Sequence, residues 1–102
     1  MTTKITIIYD NPQDEATFEA GYPEQVGLAK NLPGLQRFEA AKVWPKEDGS
    51  PTPAYRLFDM YFEDYDAANA AVTTEEAAAL FPKIFELATG GVRIVFADVE
   101  QG

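Results

Sequence analysis

Residues 54–62 read Ala54-Tyr55-Arg56-Leu57-Phe58-Asp59-Met60-Tyr61-Phe62. A run so rich in aromatic residues, following a proline-rich stretch, is a β-strand by composition. Successive side chains on a strand point to opposite faces, so Phe58, Met60 and Phe62 point one way while Tyr55, Leu57 and Tyr61 point the other. Asp59 shares the second face. Bulky apolar groups therefore stand on both sides of this strand, and whatever fold contains it must cover both.

Working outward, Pro45 to Pro53 (PKEDGSPTP) has three prolines, a glycine and two adjacent acids, the composition of a loop. Before it, Leu35 to Trp44 reads as a strand holding Phe38, Val43 and Trp44. Lys4 to Tyr9 is the first strand, with three isoleucines, Thr and Tyr. Asn11-Pro12 ends it and opens a helix, Asn as N-cap and Pro at the first helical position. Phe18 and Tyr22 give that helix an apolar face, and Pro23 and Gly27 predict a kink or two short helices, ending before Pro33-Gly34. On the other side, Asp64 caps a short Ala-rich helix to about Val72. Thr73 to Glu76 fits a capping box opening another helix, with Ala77, Leu80, Phe81, Ile84 and Ala88 on one stripe and a kink expected at Pro82. Gly90-Gly91 stops it, and Val92 to Val99 is the last strand. The order is β-α-β-β-α-β, an α+β ferredoxin-like domain with a four-stranded antiparallel sheet.

The chain has 102 residues, room for a single domain spanning 1–102. Seventeen acidic residues against eight basic ones give a net charge of -9, which repels nucleic acid and anionic membrane. Cysteine and histidine are both absent. That excludes disulfides, thiolate catalysis and the commonest metal and haem ligands, and leaves acid–base work to carboxylates, Tyr, Lys or Arg. The motifs of phosphate-binding loops, dinucleotide sites, serine hydrolases and zinc proteases do not occur. The acids Glu63, Asp64 and Asp66 have helix-capping spacing, not that of a metal site. No metal and no cofactor are expected. The start of the chain lacks the pattern of a signal peptide, and no apolar run approaches the ~20 residues of a membrane span, so a cytoplasmic protein is expected.

Two helical segments cover one face of a four-stranded sheet. The other face would carry Tyr55, Leu57, Tyr61, Val95, Ala97 and Val99 into water. A second copy packed sheet against sheet is the economical cover, and a homodimer is expected. The alternative is an open sheet face that binds another protein.

Four motifs in order resemble the EthD-like family. Tyr9-Asp10-Asn11-Pro12 is similar to its "YPNP". Leu28 to Glu39 (LAKNLPGLQRFE) is similar to "PLAKKLPGLRRYE". Ala54 to Phe62 is similar to "YYRIAELYF", and Ala88 to Val92 to "ATGGV". The resemblance covers nearly the whole chain and implies a dimeric α+β barrel. Family members carry a His ahead of the Leu-Ala-Lys segment. That position is Gln25 here, and the family's proline is Gly27. The amide cannot exchange a proton near neutral pH.

On this reading the barrel holds an apolar cavity for a small hydrophobic or aromatic metabolite. Gln25 is expected at its rim, positioning a ligand and sharing the cavity with Asp59, the catalytic candidate. The plainer readings are a surface Gln25 and an Asp59 ion-paired to Arg37 or Arg56. Tyr9, Tyr55, Tyr61 and Arg37 complete the candidate ligand-binding set, the tyrosines alternatively being simple core. Two functions follow: an accessory or cofactor-free catabolic enzyme, or a non-catalytic ligand-binding or structural dimer.

Overall fold

The computed structural model describes residues 1–102, which form β1 (Thr3–Tyr9), α1 (Glu15–Ala29), β2 (Arg37–Lys42), β3 (Arg56–Phe62), α2 (Tyr65–Ala71), α3 (Glu75–Leu87) and β4 (Val92–Asp98). All strands pair antiparallel in the order β2-β3-β1-β4. The β-α-β-β-α-β plan holds, with its second helical segment divided into α2 and α3 as the two caps suggest. None of the helices is long and apolar enough to cross a membrane.

The register fixes the two faces. Ile5, Ile7 and Tyr9 oppose Met60, Phe58 and Arg56, while Lys4, Thr6 and Ile8 oppose Tyr61, Asp59 and Leu57. The helices lie on the first set. Ile5, Ile7, Phe58, Met60 and Phe62 are fully buried there against Phe18, Tyr22, Leu80 and Ile84. The central strands β1 and β3 take most of this cover, so the edge strands β2 and β4 are largely exposed.

Several boundaries differ from the sequence reading, each for a local reason. The first helix is capped by Asp14, whose carboxylate accepts from the backbone N–H groups of Ala16 and Thr17. Asn11 instead donates to the Thr52 carbonyl and ties the first loop to the loop before β3. Helix α1 runs unbroken through Pro23. A proline forfeits one helical hydrogen bond, and the packing of Phe18, Tyr22, Gln25 and Ala29 outweighs it. The α3 cap is Thr74, one residue beyond the expected box, so Ala77 and not Glu76 meets its hydroxyl. Strand β2 ends at Lys42, and Trp44 projects into solvent, 88% exposed.

Two of the motif segments touch. The Asp10 N–H donates to the Gly91 carbonyl, and the Gln13 N–H to the Thr89 hydroxyl. A Cβ on Gly90 would run into the Asn11 carbonyl, and Gly91 has φ +112°, so both positions require glycine.

Candidate functional site

The candidate residues divide between the faces of the sheet. Tyr9, Gln25 and Tyr55 gather on the inner face beneath α1, whereas Asp59, Tyr61 and Arg37 lie on the outer face. Gln25 and Asp59 therefore do not share a cavity, and that expectation is corrected. Strand alternation separates them, since Tyr9, the partner of Gln25, is an odd residue facing the helices, and Asp59 opposes Thr6 on the other side.

The inner group is built on α1. Phe18, Tyr22, Gln25 and Ala29 recur at helical spacing and form its buried stripe, so an amide stands where an apolar residue is expected. Gln25 is completely buried, not a surface glutamine. The Tyr9 hydroxyl donates to Gln25 Oε1 at 3.0 Å, leaving Nε2 with no partner; the Tyr22 hydroxyl is likewise buried and unpaired. Aromatic rings enclose this pair: Phe18 meets the Tyr9 and Tyr55 rings edge-on at 4.9 and 5.1 Å and stacks on Tyr22 at 5.4 Å.

Tyr55 departs from the alternation read from the sequence. It precedes the regular strand, its N–H donates to the Tyr9 carbonyl, and its side chain turns inward. Its hydroxyl donates to Glu19 Oε2 at 2.8 Å, and the same carboxylate takes two bonds from Arg56, at 3.0 and 2.6 Å. The Arg56 guanidinium also lies over the Tyr22 ring, 4.4 Å from its centroid. The sequence reading missed Glu19 and Tyr22 as members of this site. The signal for Gln25 was available: it is seven residues past Phe18, on the stripe that Phe18 and Tyr22 begin.

The titrating groups here are driven away from neutrality. Burial pushes the Tyr9 and Tyr22 hydroxyls up, and burial aided by Glu19 pushes Tyr55 to about 12. Arg56, aided by Tyr55, holds Glu19 below the usual carboxylate range against the opposing effect of burial. The arrangement offers hydrogen bonds and aromatic edges, and no group poised to exchange protons near pH 7.

On the outer face Asp59 accepts from the Thr6 hydroxyl and pairs with Lys4 at 3.5 Å. It has neither Arg37 nor Arg56 as partner. Arg37 pairs with Glu39 at 3.1 Å and lies over the Tyr61 ring at 3.8 Å, and Tyr61 donates to Glu39 at 2.7 Å. Leu57, Ile8, Ala41, Val95 and Ala97 fill the spaces between these pairs.

No protein-family model matches the chain. An uncharacterised 11.0 kDa protein from the thcB-thcC intergenic region of Rhodococcus erythropolis is 35% identical over 98 residues, which cover 95% of this chain and 94% of the relative. Among solved structures, an EthD family protein from Bacillus halodurans superimposes with a TM-score of 0.88 at 21% identity, over 97% of this chain and 99% of that one. A dimeric ferredoxin-like protein of unknown function from Jannaschia sp. CCS1 follows at TM-score 0.70 and 18% identity, over 97% of this chain and 100% of that one. Fold and likeness together define a ferredoxin-like α+β protein. The chain belongs to one family with the Rhodococcus protein, and its fold is that of the EthD family protein.

Proposed function

We propose that the protein is a homodimer that binds a small aromatic metabolite on the inner face of its sheet, around Gln25. The observation that carries this reading is the half-satisfied Gln25 amide, completely buried and bonded to Tyr9, itself packed on the Phe18 and Tyr22 rings, with one end unpaired. An unpaired buried amide end costs on the order of 1–3 kcal/mol, and a ligand that pairs it recovers that cost. The aromatic surroundings suit a planar apolar body, and the lone polar group fixes its orientation.

Binding is favoured over catalysis because the tyrosines keep their protons well past neutrality and Glu19 is already committed to Arg56 and Tyr55. Asp59, engaged by Thr6 and Lys4 on the far face, is assigned to the subunit contact instead of to chemistry. Dimerisation through the outer face is supported by its mixture of apolar residues with internally paired charges, which a two-fold contact can bury without stranding a charge. The dimeric ferredoxin-like relative in fold supports the same assembly.

Titrating 15N-labelled protein with phenol tests the ligand site. The side-chain amide resonances of Gln25 are expected to move saturably, while those of Gln36, exposed and outside the inner group, stay still. Unmoved Gln25 resonances at millimolar phenol would overturn the inner-face site.

A further inference from the structure

We propose that ligand reaches the inner group through the cleft between α1 and α3, with Phe18 as the side chain it displaces and the residue that sets the size accepted. This inference rests on the inner-face site proposed above. The cleft holds about 290 Å³ between Thr17, Phe18 and Gly21 of α1 and Lys83 and Leu87 of α3. An apolar cavity of about 150 Å³ is enough to hold benzene, so the cleft has room for one substituted ring.

Phe18 faces both ways. One side of its ring floors the cleft, and the other lies against Tyr9, Tyr22 and Tyr55. Phe18 is therefore the side chain shared by the cleft and by the Tyr9 and Tyr22 rings, next to which the unpaired Gln25 amide and Tyr22 hydroxyl lie. The cleft beneath the 45–53 loop reaches only Tyr55 of the inner group, and the groove beside Trp44 reaches none of it.

Gly21 keeps the entrance open. A Cβ there would stand 2.8 Å from Leu87 Cδ2, inside van der Waals contact, so a side chain at this position makes Leu87 shift and takes space from the cleft. At the same level Lys83 bridges the two helices, pairing with Glu24 of α1 at 2.8 Å and with Glu86 of its own helix at 2.6 Å.

The ligand class follows from what the displaced ring leaves behind. An aromatic ring replaces Phe18 against the three tyrosines. A hydroxyl on it satisfies Gln25 whichever end of the amide Tyr9 engages, because a hydroxyl both donates and accepts. A neutral hydroxylated aromatic is the expected occupant.

The experiment compares phenol and 1-naphthol with the full-length native protein, Phe18→Leu and Gly21→Ala, following the Gln25 amide by NMR line shape and titration. If Phe18 must move first, association is limited by the open fraction; Phe18→Leu should raise the phenol on-rate roughly tenfold and admit 1-naphthol, which the native protein rejects. Gly21→Ala should slow phenol association by a similar factor, roughly tenfold, with the bound-state Gln25 shift unchanged. Phenol shifting Gln25 at one common rate in all three proteins overturns the entrance and leaves the inner site standing. Gln25 resonances that stay still in all three, Phe18→Leu included, overturn the inner site and the entrance together.

Discussion

Each face of the sheet carries a Glu–Tyr–Arg group, and the two groups sit in opposite settings. Inside, Glu19 accepts from Tyr55 and Arg56, with Arg56 laid over Tyr22. Outside, Glu39 accepts from Tyr61 and pairs with Arg37, which is laid over Tyr61 itself. The inner group joins the sheet to α1 and closes one flank of a pocket of aromatic rings. The outer group joins only neighbouring strands and leaves its charges at the surface, the Arg37 side chain 59% and the Glu39 side chain 54% exposed. The same chemistry thus serves tertiary structure on one face and, in the proposed dimer, quaternary structure on the other.

The sharpest way to break this contrast is to truncate adjacent residues of β3. Phe58 is fully buried and stacks on Phe38 at 5.4 Å. Phe58→Ala should cost about 3–5 kcal/mol of folding stability by urea titration. Leu57, one residue away and half-buried, should lose under ~1 kcal/mol on the same substitution at a protein concentration low enough to keep the chain monomeric. Equal losses at the two positions would mean that the outer face is not structurally independent of the core.

Leu57→Asp tests the next largest effect, on assembly. Across a two-fold contact it sets two like charges near one another on a face already holding Asp59, and the dimer should weaken by about 2–3 kcal/mol. Light scattering should show a monomer that keeps its circular dichroism. A native protein already monomeric at micromolar concentration would remove the proposed role of the outer face.

The sheet was legible in the sequence because its signals are local. Four runs of β-branched and aromatic residues, broken by Pro, Gly and Asn, mark four strands, and alternation within β3 assigns Phe58, Met60 and Phe62 to one face. The limits of that reasoning are equally local. Tyr55 is on the wrong side because alternation holds only within the ladder, and the chain has not yet entered it at residue 55. Asn11 looked like the cap because Pro12 follows it, but cross-chain bonding to Thr52 draws it away, and Asp14 takes the role. Gln25 was drawn to Asp59 by the family pattern, whereas its own helix, counted from Phe18 and Tyr22, assigns it to the buried stripe. The site was half legible: Tyr9, Gln25 and Tyr55 are together, but Asp59, Tyr61 and Arg37 belong to the other face.

Within the inner group, the Tyr9–Gln25 pair yields a smaller and non-additive effect. Tyr9→Phe leaves both ends of a buried amide unpaired and should cost about 1–2 kcal/mol. Adding Gln25→Leu removes the stranded amide, and the double variant should return to within about 0.5 kcal/mol of the native protein while losing phenol binding. Additive losses would mean that Gln25 is held by packing and that its hydrogen bond is incidental.

The smallest expected effect comes from acid. Glu19 titrates below the usual carboxylate range, chiefly because Arg56 bonds its charged form, so its contribution is fully present above the unfolded carboxylate pKa near 4.5 and is lost as pH falls through the lower folded value. The side chain is 37% exposed, and solvent screening leaves well under 1 kcal/mol to lose. Glu39 is lowered too, by Tyr61 and then Arg37, with the same sign. Its carboxylate is open to water in the monomer, where Glu39→Gln should leave the acid limb of stability unchanged. Burial of that face between subunits would give Glu39 an acid limb that strengthens with protein concentration. Urea titrations between pH 5 and 3 at two protein concentrations, with Glu19→Gln and Glu39→Gln beside the native chain, separate the two carboxylates. A Glu19 effect independent of concentration and a Glu39 effect that grows with it are the expected pair. A Glu39 effect that ignores concentration would place that group within the fold of the single chain and count against the subunit contact.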